Sequence, residues 1–205
     1  MKKLVMLLVL ISFNILTLAE ARGAWSSLRL PRVIFGGSTG YFRVSLDNFT
    51  KFYDSRWDNY HSGQVSVRVY KTNYLSLQYA RFQKNANVNN NILSGEAEWE
   101  ERFINVGIRW YAETRKRWRL YSGFGFIFVN VKEKAGLLLD PETSNDVETN
   151  GSGFFLEIGA DYIILPHIAL NLELEASSVG EGGTPGFAGS SLGGYAFLTG
   201  LNFHF

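Results

Sequence analysis

The stretch that decides the fold is Tyr195-Ala-Phe-Leu-Thr-Gly-Leu-Asn-Phe-His-Phe205, because its side chains alternate between two kinds. One face is apolar apart from Thr199 and carries Tyr195, Phe197, Leu201, Phe203 and Phe205. The other face is small or polar apart from Leu198 and carries Ala196, Gly200, Asn202 and His204. A period of two places these sets on opposite sides of a sheet. An apolar strand that runs to an aromatic last residue predicts a membrane-embedded β-barrel.

Alternating segments of this kind recur and predict eight strands, at about residues 32–46, 62–70, 74–83, 98–111, 117–131, 151–164, 168–178 and 192–205. The connections alternate in length. The long ones are 47–61, 84–97, 132–150 and 179–191, and the short ones are 71–73, 112–116 and 165–167. Short turns on one side and long loops on the other are typical of outer-membrane barrels. The predicted fold class is all-β, an eight-stranded antiparallel up-and-down transmembrane β-barrel.

Alternation alone does not show which face points inward, since a water-soluble lipocalin-like barrel is apolar inside and polar outside. Besides the strict alternation of short and long connections, two features favour the membrane arrangement. The polar faces are rich in glycine, which suits a narrow filled lumen better than a hydrated surface. Aromatic residues also cluster near the short turns, as in an interfacial girdle. They are Tyr70, Tyr74, Trp110, Tyr111, Trp118, Tyr162, Phe203 and Phe205.

The first 21 residues have the three parts of a secretory signal peptide: Lys2 and Lys3, an apolar run, and the small-x-small site 19–21. An uncleaved anchor is the alternative, but the apolar run is shorter than the ~20 residues that a spanning helix needs. We therefore expect a cleaved signal peptide at 1–21 and a barrel domain at 22–205. With an even number of strands, both chain ends are expected on the periplasmic side of a bacterial outer membrane.

Charge and composition narrow the class of partner. The chain has a formal charge of +1, and loss of residues 1–21 leaves it neutral, so nothing favours nucleic acid. No cysteine is present, which excludes disulfides and a lipoprotein anchor. The expected partners are outer-membrane lipid and lipopolysaccharide, the barrel-assembly machinery, and an extracellular ligand or host surface. We expect a monomer without a cofactor.

With the polar faces inward, charges of both signs share the lumen. An eight-stranded barrel is only wide enough for its side chains to fill it, and buried charges must pair. The sequence therefore predicts a static charge network that plugs the lumen. Its members are Arg68, Arg109, Arg119, Glu157, Asp161, Glu173 and Glu175. A gated ion or proton path through the same carboxylates is the alternative.

The long connections carry the remaining candidates. The first is rich in aromatic residues, of which Phe52, Tyr53, Trp57 and Tyr60 are candidates for recognition of a ligand. These aromatics could instead cover the barrel mouth and rest in the lipid headgroup layer. The third connection is acidic, but its carboxylates lack the spacing of a calcium loop, so no metal site is predicted.

A hydrolytic or acyl-transfer set could be imagined around one histidine. His61 would act with Ser55 or Ser62 and with Asp54 or Asp58. Such residues are common in any loop, so no catalytic residue is predicted.

The end of the chain resembles the small outer-membrane barrels of the OmpA transmembrane-domain and OmpX type. Gly200-x-x-Phe203-x-Phe205 looks like the signal read by the barrel-assembly machinery, although Leu198 stands where that pattern usually has a polar residue. The resemblance implies a non-enzymatic barrel that supports envelope integrity, adhesion or recognition through its long loops. A lipid-A-modifying enzyme, of deacylase or acyltransferase type, is the runner-up, and a small-solute channel is third. The lipid A deacylases have a His-x-Ser pair, which His167-Ile168-Ala169 lacks.

Overall fold

The computed structural model describes residues 30–46, 49–51, 53–89, 94–112, 117–135, 145–180 and 192–205. It contains eight strands: β1 (Val33–Val44), β2 (Trp57–Tyr70), β3 (Asn73–Asn89), β4 (Ser94–Tyr111), β5 (Trp118–Ala135), β6 (Asn145–Leu165), β7 (Ile168–Gly180) and β8 (Gly194–His204). They form one closed barrel in chain order, with antiparallel neighbours. The predicted eight-stranded up-and-down barrel is confirmed. No helix within these ranges is long and apolar enough to cross a membrane.

The barrel closes where the last strand pairs with the first. The register runs from Ile34 opposite His204 to Val44 opposite Gly194. Beyond the end of β8, the amide of Val33 donates to the carbonyl of Phe205 at 2.9 Å, and the amide of Phe205 donates back to Val33 at 2.9 Å. The seam therefore continues to the last residue, and both described ends of the chain lie at the short-turn end of the barrel.

Several strands are longer than the sequence predicts. The predicted loop at 84–97 is largely a paired extension of β3 and β4, which remain in register to Asn89 opposite Ser94. Likewise β5 and β6 stay paired to Ala135 opposite Asn145, within the predicted loop at 132–150. The sequence pattern did not predict these extensions, because their residues are mostly polar. Backbone pairing between the strands continues after the alternation of apolar and polar residues stops. The wall formed by β3–β6 consequently rises further on the long-loop side.

An apolar belt surrounds the outside of the barrel. In β4 the outward side chains Ile104, Val106 and Ile108 are exposed, and in β5 the outward Phe124, Phe126 and Phe128 are exposed. Further along the same faces, towards the long loops, the outward residues become polar. They are Arg102 and Glu100 in β4, and Asn130 and Lys132 in β5. The belt is the surface that lipid would cover.

The lumen is divided into two layers of opposite character. The lower layer, towards the short turns, is polar and includes Gln78, Asn105, Arg109, Glu157, Asp161, Asn171, Glu173, Glu175 and Asn202. The upper layer is an apolar cluster that includes Phe42, Tyr60, Phe82, Trp99, Phe103, Ile127, Val129, Phe155 and Leu198. The sequence-based expectation of a polar inner face throughout is therefore right only for the lower layer. From the short turns towards the long loops, the inward side chains change from mostly polar to mostly apolar, and the outward side chains change from apolar to polar.

Two aromatics of the expected girdle lie inside the barrel instead. Tyr74 and Tyr111 are buried and pack edge to face, with ring centroids 5.0 Å apart. Both occupy inward positions of the period-two pattern, which nearness to a turn does not reveal. Tyr70, Trp118 and Phe203 are exposed on the outer wall, as expected for a girdle.

Candidate functional site: the filled lumen and the barrel mouth

Arg109 is the centre of the lower layer. Its Nε and Nη2 atoms donate to the two carboxylate oxygens of Glu157, each at 2.7 Å, and Nη2 also donates to Glu173 at 3.1 Å. The guanidinium lies over the ring of Tyr121, 4.2 Å from its centroid. These side chains are almost completely buried. A bidentate pair of this kind fixes orientation as well as charge.

A glycine makes room for this pair. Gly123 is the cross-strand partner of Glu157, and a Cβ at Gly123 would collide with the Glu157 carboxylate. The small residue on the polar face of β5 therefore allows a large charged side chain from β6 to turn into the lumen.

A second cluster joins Asp161, Arg119 and His204. Arg119 Nη1 lies 3.0 Å from His204 Nδ1, and His204 Nε2 faces Asp161 Oδ2 at 3.4 Å. Because arginine only donates, Nδ1 is the acceptor and the imidazole proton is on Nε2, directed at Asp161. The amides of Asn171 and Asn202 donate to the other Asp161 oxygen at 3.0 and 2.8 Å.

Neutral side chains link the two clusters. Tyr121 donates its hydroxyl proton to Glu173 at 2.6 Å and accepts a hydrogen bond from Asn171 at 2.8 Å. Asn105 donates to Glu175 at 3.2 Å and to Gln78 at 2.8 Å. The sequence-based list omitted these linking residues, although they share the same period-two face as the charges.

Gln78 in turn donates to Glu173 at 3.3 Å, so six of the seven residues expected in the network lie in one connected set of contacts. Arg68 lies apart at the short-turn end, where its Nη1 donates to the carbonyl of Leu30 at 2.7 Å.

The mouth of the barrel is filled by the mouth segment, which we define as the 3-10 turn Phe49–Lys51 together with Tyr53. Phe49 stacks on Tyr53 with ring centroids 4.4 Å apart, and both rings meet Trp99 edge-on at 5.5 and 6.2 Å. The three aromatic side chains have no exposed surface.

The structure separates the four aromatic recognition candidates of the first connection. Tyr53 and Tyr60 are fully buried, and Tyr60 stacks on Phe42 at 5.1 Å. Trp57 is exposed on the wall, and Phe52 lies outside the described residues. Burial therefore leaves Trp57 as the accessible member of the described set, whereas Tyr53 and Tyr60 cover the mouth.

One acid of the third connection lies against the mouth segment. Burial raises the pKa of Glu133 to about 7, and the nearby hydroxyl of Tyr53 lowers it by less. Burial likewise raises the pKa of Tyr53, and the Glu133 carboxylate raises it further. Asp140 and Glu142 lie outside the described residues. Among the residues that the structure places, no group of three His, Asp or Glu side chains is arranged to hold a metal ion.

His61 does not meet the partners imagined for it. Its Nδ1 lies 2.9 Å from Thr39 Oγ1, and both residues are on the outward face of the wall. Asp58 instead pairs with Lys84 Nζ at 2.9 Å, and Ser55 forms its hydrogen bonds with the backbone of Trp57. The described contacts do not assemble the hydrolytic set that the sequence analysis considered and set aside.

Comparison with known proteins agrees with this architecture. Residues 7–205 match the family model described as the outer membrane protein beta-barrel domain. The chain belongs to this family of outer-membrane β-barrels. The family places the barrel in the bacterial outer membrane, where lipid covers the apolar belt. No curated protein matches the sequence.

Solved structures share the fold at low sequence identity. Neisserial surface protein A is 11% identical, with a TM-score of 0.62 over 84% of this chain and 97% of that protein. OprG from Pseudomonas aeruginosa is 14% identical, with a TM-score of 0.57 over 87% and 98%. Ail of Yersinia pestis, solved with the heparin analogue sucrose octasulfate, is 10% identical, with a TM-score of 0.56 over 85% and 99%. At these identities the likeness concerns the fold alone.

Proposed function

We propose that this outer-membrane barrel is neither a channel nor an enzyme, and that it displays its long-loop end at the cell surface for recognition or adhesion. It also contributes to envelope integrity as a membrane-filling protein. The observation that carries the proposal is the doubly filled lumen, in which a charge network lies beneath an aromatic layer.

The filled lumen argues against a pore. Solutes entering from the long-loop end would first meet the mouth segment and the stacked rings of Phe42 and Tyr60. Below these rings, Arg109 is held by two carboxylates and has almost no exposed surface. Moving it would leave buried charges without partners, which is costly.

The tall wall supports a role at the surface. Paired strands of β3–β6 continue past the apolar belt to Asn89, Ser94, Ala135 and Asn145. Rigid strands hold the connections away from the lipid, where a partner can reach them. A barrel of the same fold, Ail, was crystallised with a heparin analogue, so this architecture is compatible with binding an extracellular ligand.

The orientation follows from the same proposal. Residues 1–21 would be removed on export, and the barrel-assembly machinery would insert the chain with both ends in the periplasm. Pairing of Val33 with Phe205 supports this arrangement, since it brings both described ends to the short-turn side. The long connections then lie on the extracellular side of the membrane.

Shortened hairpins test the proposal directly. Replacing residues 84–97 with a two-residue turn removes the extension of β3 and β4, whereas removing residues 181–191 shortens a different connection and serves as the comparison. We expect binding to host cells or to glycan arrays to fall for at least one variant, while the barrel remains folded. Unchanged binding in both variants, or stepwise conductance of the intact protein in planar bilayers, would refute the proposal.

A lipid-modifying enzyme is the second candidate, and one observation favours it. Thr39 and His61 form a hydroxyl–imidazole pair on the outward wall, 2.9 Å apart. In the part of the chain that the structure describes, no carboxylate contact orients the imidazole, so the pair lacks the third member of a catalytic triad. Reconstitution with lipid A tests it: a change in lipid A mass that disappears in His61→Ala would replace the non-enzymatic proposal.

A further inference from the structure

The outer wall carries two arginines directly opposite each other. Arg81 of β3 and Arg102 of β4 are cross-strand partners in the register. Like charges in this position normally destabilise a sheet. Here Glu100 lies between them, with its Oε1 atom 2.5 Å from Arg81 Nε and 2.9 Å from Arg102 Nε. Nearly half of each arginine side chain remains exposed, whereas Glu100 is mostly covered.

The Glu100 carboxylate therefore fixes the positions of both arginine side chains and leaves part of each exposed. Two of its contacts use the Nε atoms, and one further bond reaches Arg102 Nη2 at 3.2 Å. A guanidinium has five N–H donors, so donors on both residues remain for a ligand. One carboxylate between two arginines also leaves a positive charge. The pair is pre-organised for an anion.

A groove of about 480 Å³ on the outer wall is lined by Arg102, and Arg81 is the cross-strand neighbour of that residue. Its apolar lining includes Tyr79, Ile104 and Phe128, and its polar lining includes Arg102, Asn130, Lys132 and Glu148. The apolar residues belong to the belt and the polar residues lie above it, so the groove crosses the boundary between lipid chains and headgroups. Lys132 pairs with Glu148 at 3.1 Å, but both are well exposed and such a pair is weak.

We propose that this groove binds a phosphorylated, multiply acylated glycolipid, the class to which lipid A belongs. A phosphate group lies against Arg81 and Arg102, and an acyl chain lies along Tyr79, Ile104 and Phe128. The inference rests on the proposed orientation, because it places the groove in the outer leaflet, where this lipid is found.

The test compares lipid A with chemically dephosphorylated lipid A, using the refolded full-length barrel in detergent. Native mass spectrometry measures the bound fraction. We expect lipid A to bind at least about tenfold more tightly, and Arg81→Gln/Arg102→Gln to abolish this preference, since charged hydrogen bonds of this kind are worth at least a factor of ten. The control is Arg32→Gln/Lys71→Gln, which removes two exposed cations at the short-turn end. It should keep the preference.

Folding is checked separately by heat-modifiable gel migration. If the glutamine variant does not fold, Arg81→Lys/Arg102→Lys replaces it and should retain part of the preference, because lysine keeps charge but not the planar fork. The proposal is overturned if the intact protein does not distinguish the two lipids, if the arginine variants keep the full preference, or if phosphatidic acid binds as tightly as lipid A. The hairpin experiment measures host binding with Arg81 and Arg102 in place, so a negative result here is distinguishable from a negative result there.

Discussion

Arg109 is the side chain on which the polar half of the lumen depends, since it contacts both Glu157 and Glu173. We expect Arg109→Ala to lower the free energy of unfolding by about 3–5 kcal/mol, because two buried carboxylates lose their cation. Urea unfolding of the barrel in lipid vesicles measures the change. Lys71→Ala, which removes an exposed cation at a turn, should have little effect. Equal stability of the two variants would contradict the role given to the network.

We expect the packing of the mouth segment to depend on pH through Glu133. Its pKa is raised to about 7 in the fold, above the value of 4.5 for a free glutamate, so the protonated form favours the folded state. The resulting stabilisation is complete below about pH 4.5 and is lost as the pH rises through about 7. We expect the mouth segment to loosen between pH 5 and 8.

Trp99 reports on this change, because it packs against Phe49 and Tyr53. Quenching of its fluorescence by acrylamide, taken as the difference from Trp99→Phe, should increase with pH in the native protein. Glu133→Gln should show weak quenching throughout the range. A similar rise in that variant would show that another group is responsible.

The residues of the lumen were accessible to sequence reasoning to different degrees. Glu157, Glu173 and Arg109 follow from the period of two together with the small diameter of the barrel. The period alone could not show that Tyr53 enters the mouth, because that residue lies in a connection with no repeating pattern. Nor could it pair His61 with Thr39, which depends on the register of β1 with β2.

At the scale of elements, β8 both ends the chain and closes the barrel. Phe205 packs edge to face on Phe35 at 6.2 Å and stacks on His167 at 6.0 Å. If Phe205 is also an assembly signal, Phe205→Gly should reduce the amount of barrel inserted in the membrane while export continues. Fractionation with heat-modifiable migration measures this. Normal levels of folded barrel would contradict the prediction.

A control separates assembly from packing at the seam. The purified variant can be refolded in detergent without the assembly machinery, and its stability compared with that of the native protein. A defect confined to cells indicates loss of the signal, whereas a defect in both settings indicates loss of the Phe35 and His167 contacts.

Strand positions near the short turns were predicted well, and those near the long loops less so. β7 begins at Ile168 and β2 ends at Tyr70, as expected from turns that follow an apolar repeat. At the other end, β4 starts at Ser94 rather than near residue 98, because its upper outward positions are polar. Strand segments in lipid alternate apolar and polar side chains and are therefore easier to predict from sequence than their polar extensions in water.

For the whole molecule, the position of the bilayer is set by the outer wall. Phe126 and Asn130 lie on the same face of β5, but only Phe126 belongs to the belt. We expect Phe126→Arg to cost about 2–4 kcal/mol in vesicles and Asn130→Arg at most about 1 kcal/mol, following the depth dependence of charged residues in barrels. Urea titration of both variants measures the difference. Equal costs would place the boundary elsewhere.

The exchange of polarity between the two faces of the strands has a consequence for variation of the surface. In β4 the outward side chains change from Ile104 to Arg102 while the inward ones change from Asn105 to Phe103, within one continuous strand. The barrel can therefore neither sink nor rise without moving charged groups into lipid or apolar groups into water. The wall alone determines its vertical position, so the long connections can be lengthened, shortened or exchanged without shifting the anchor beneath them.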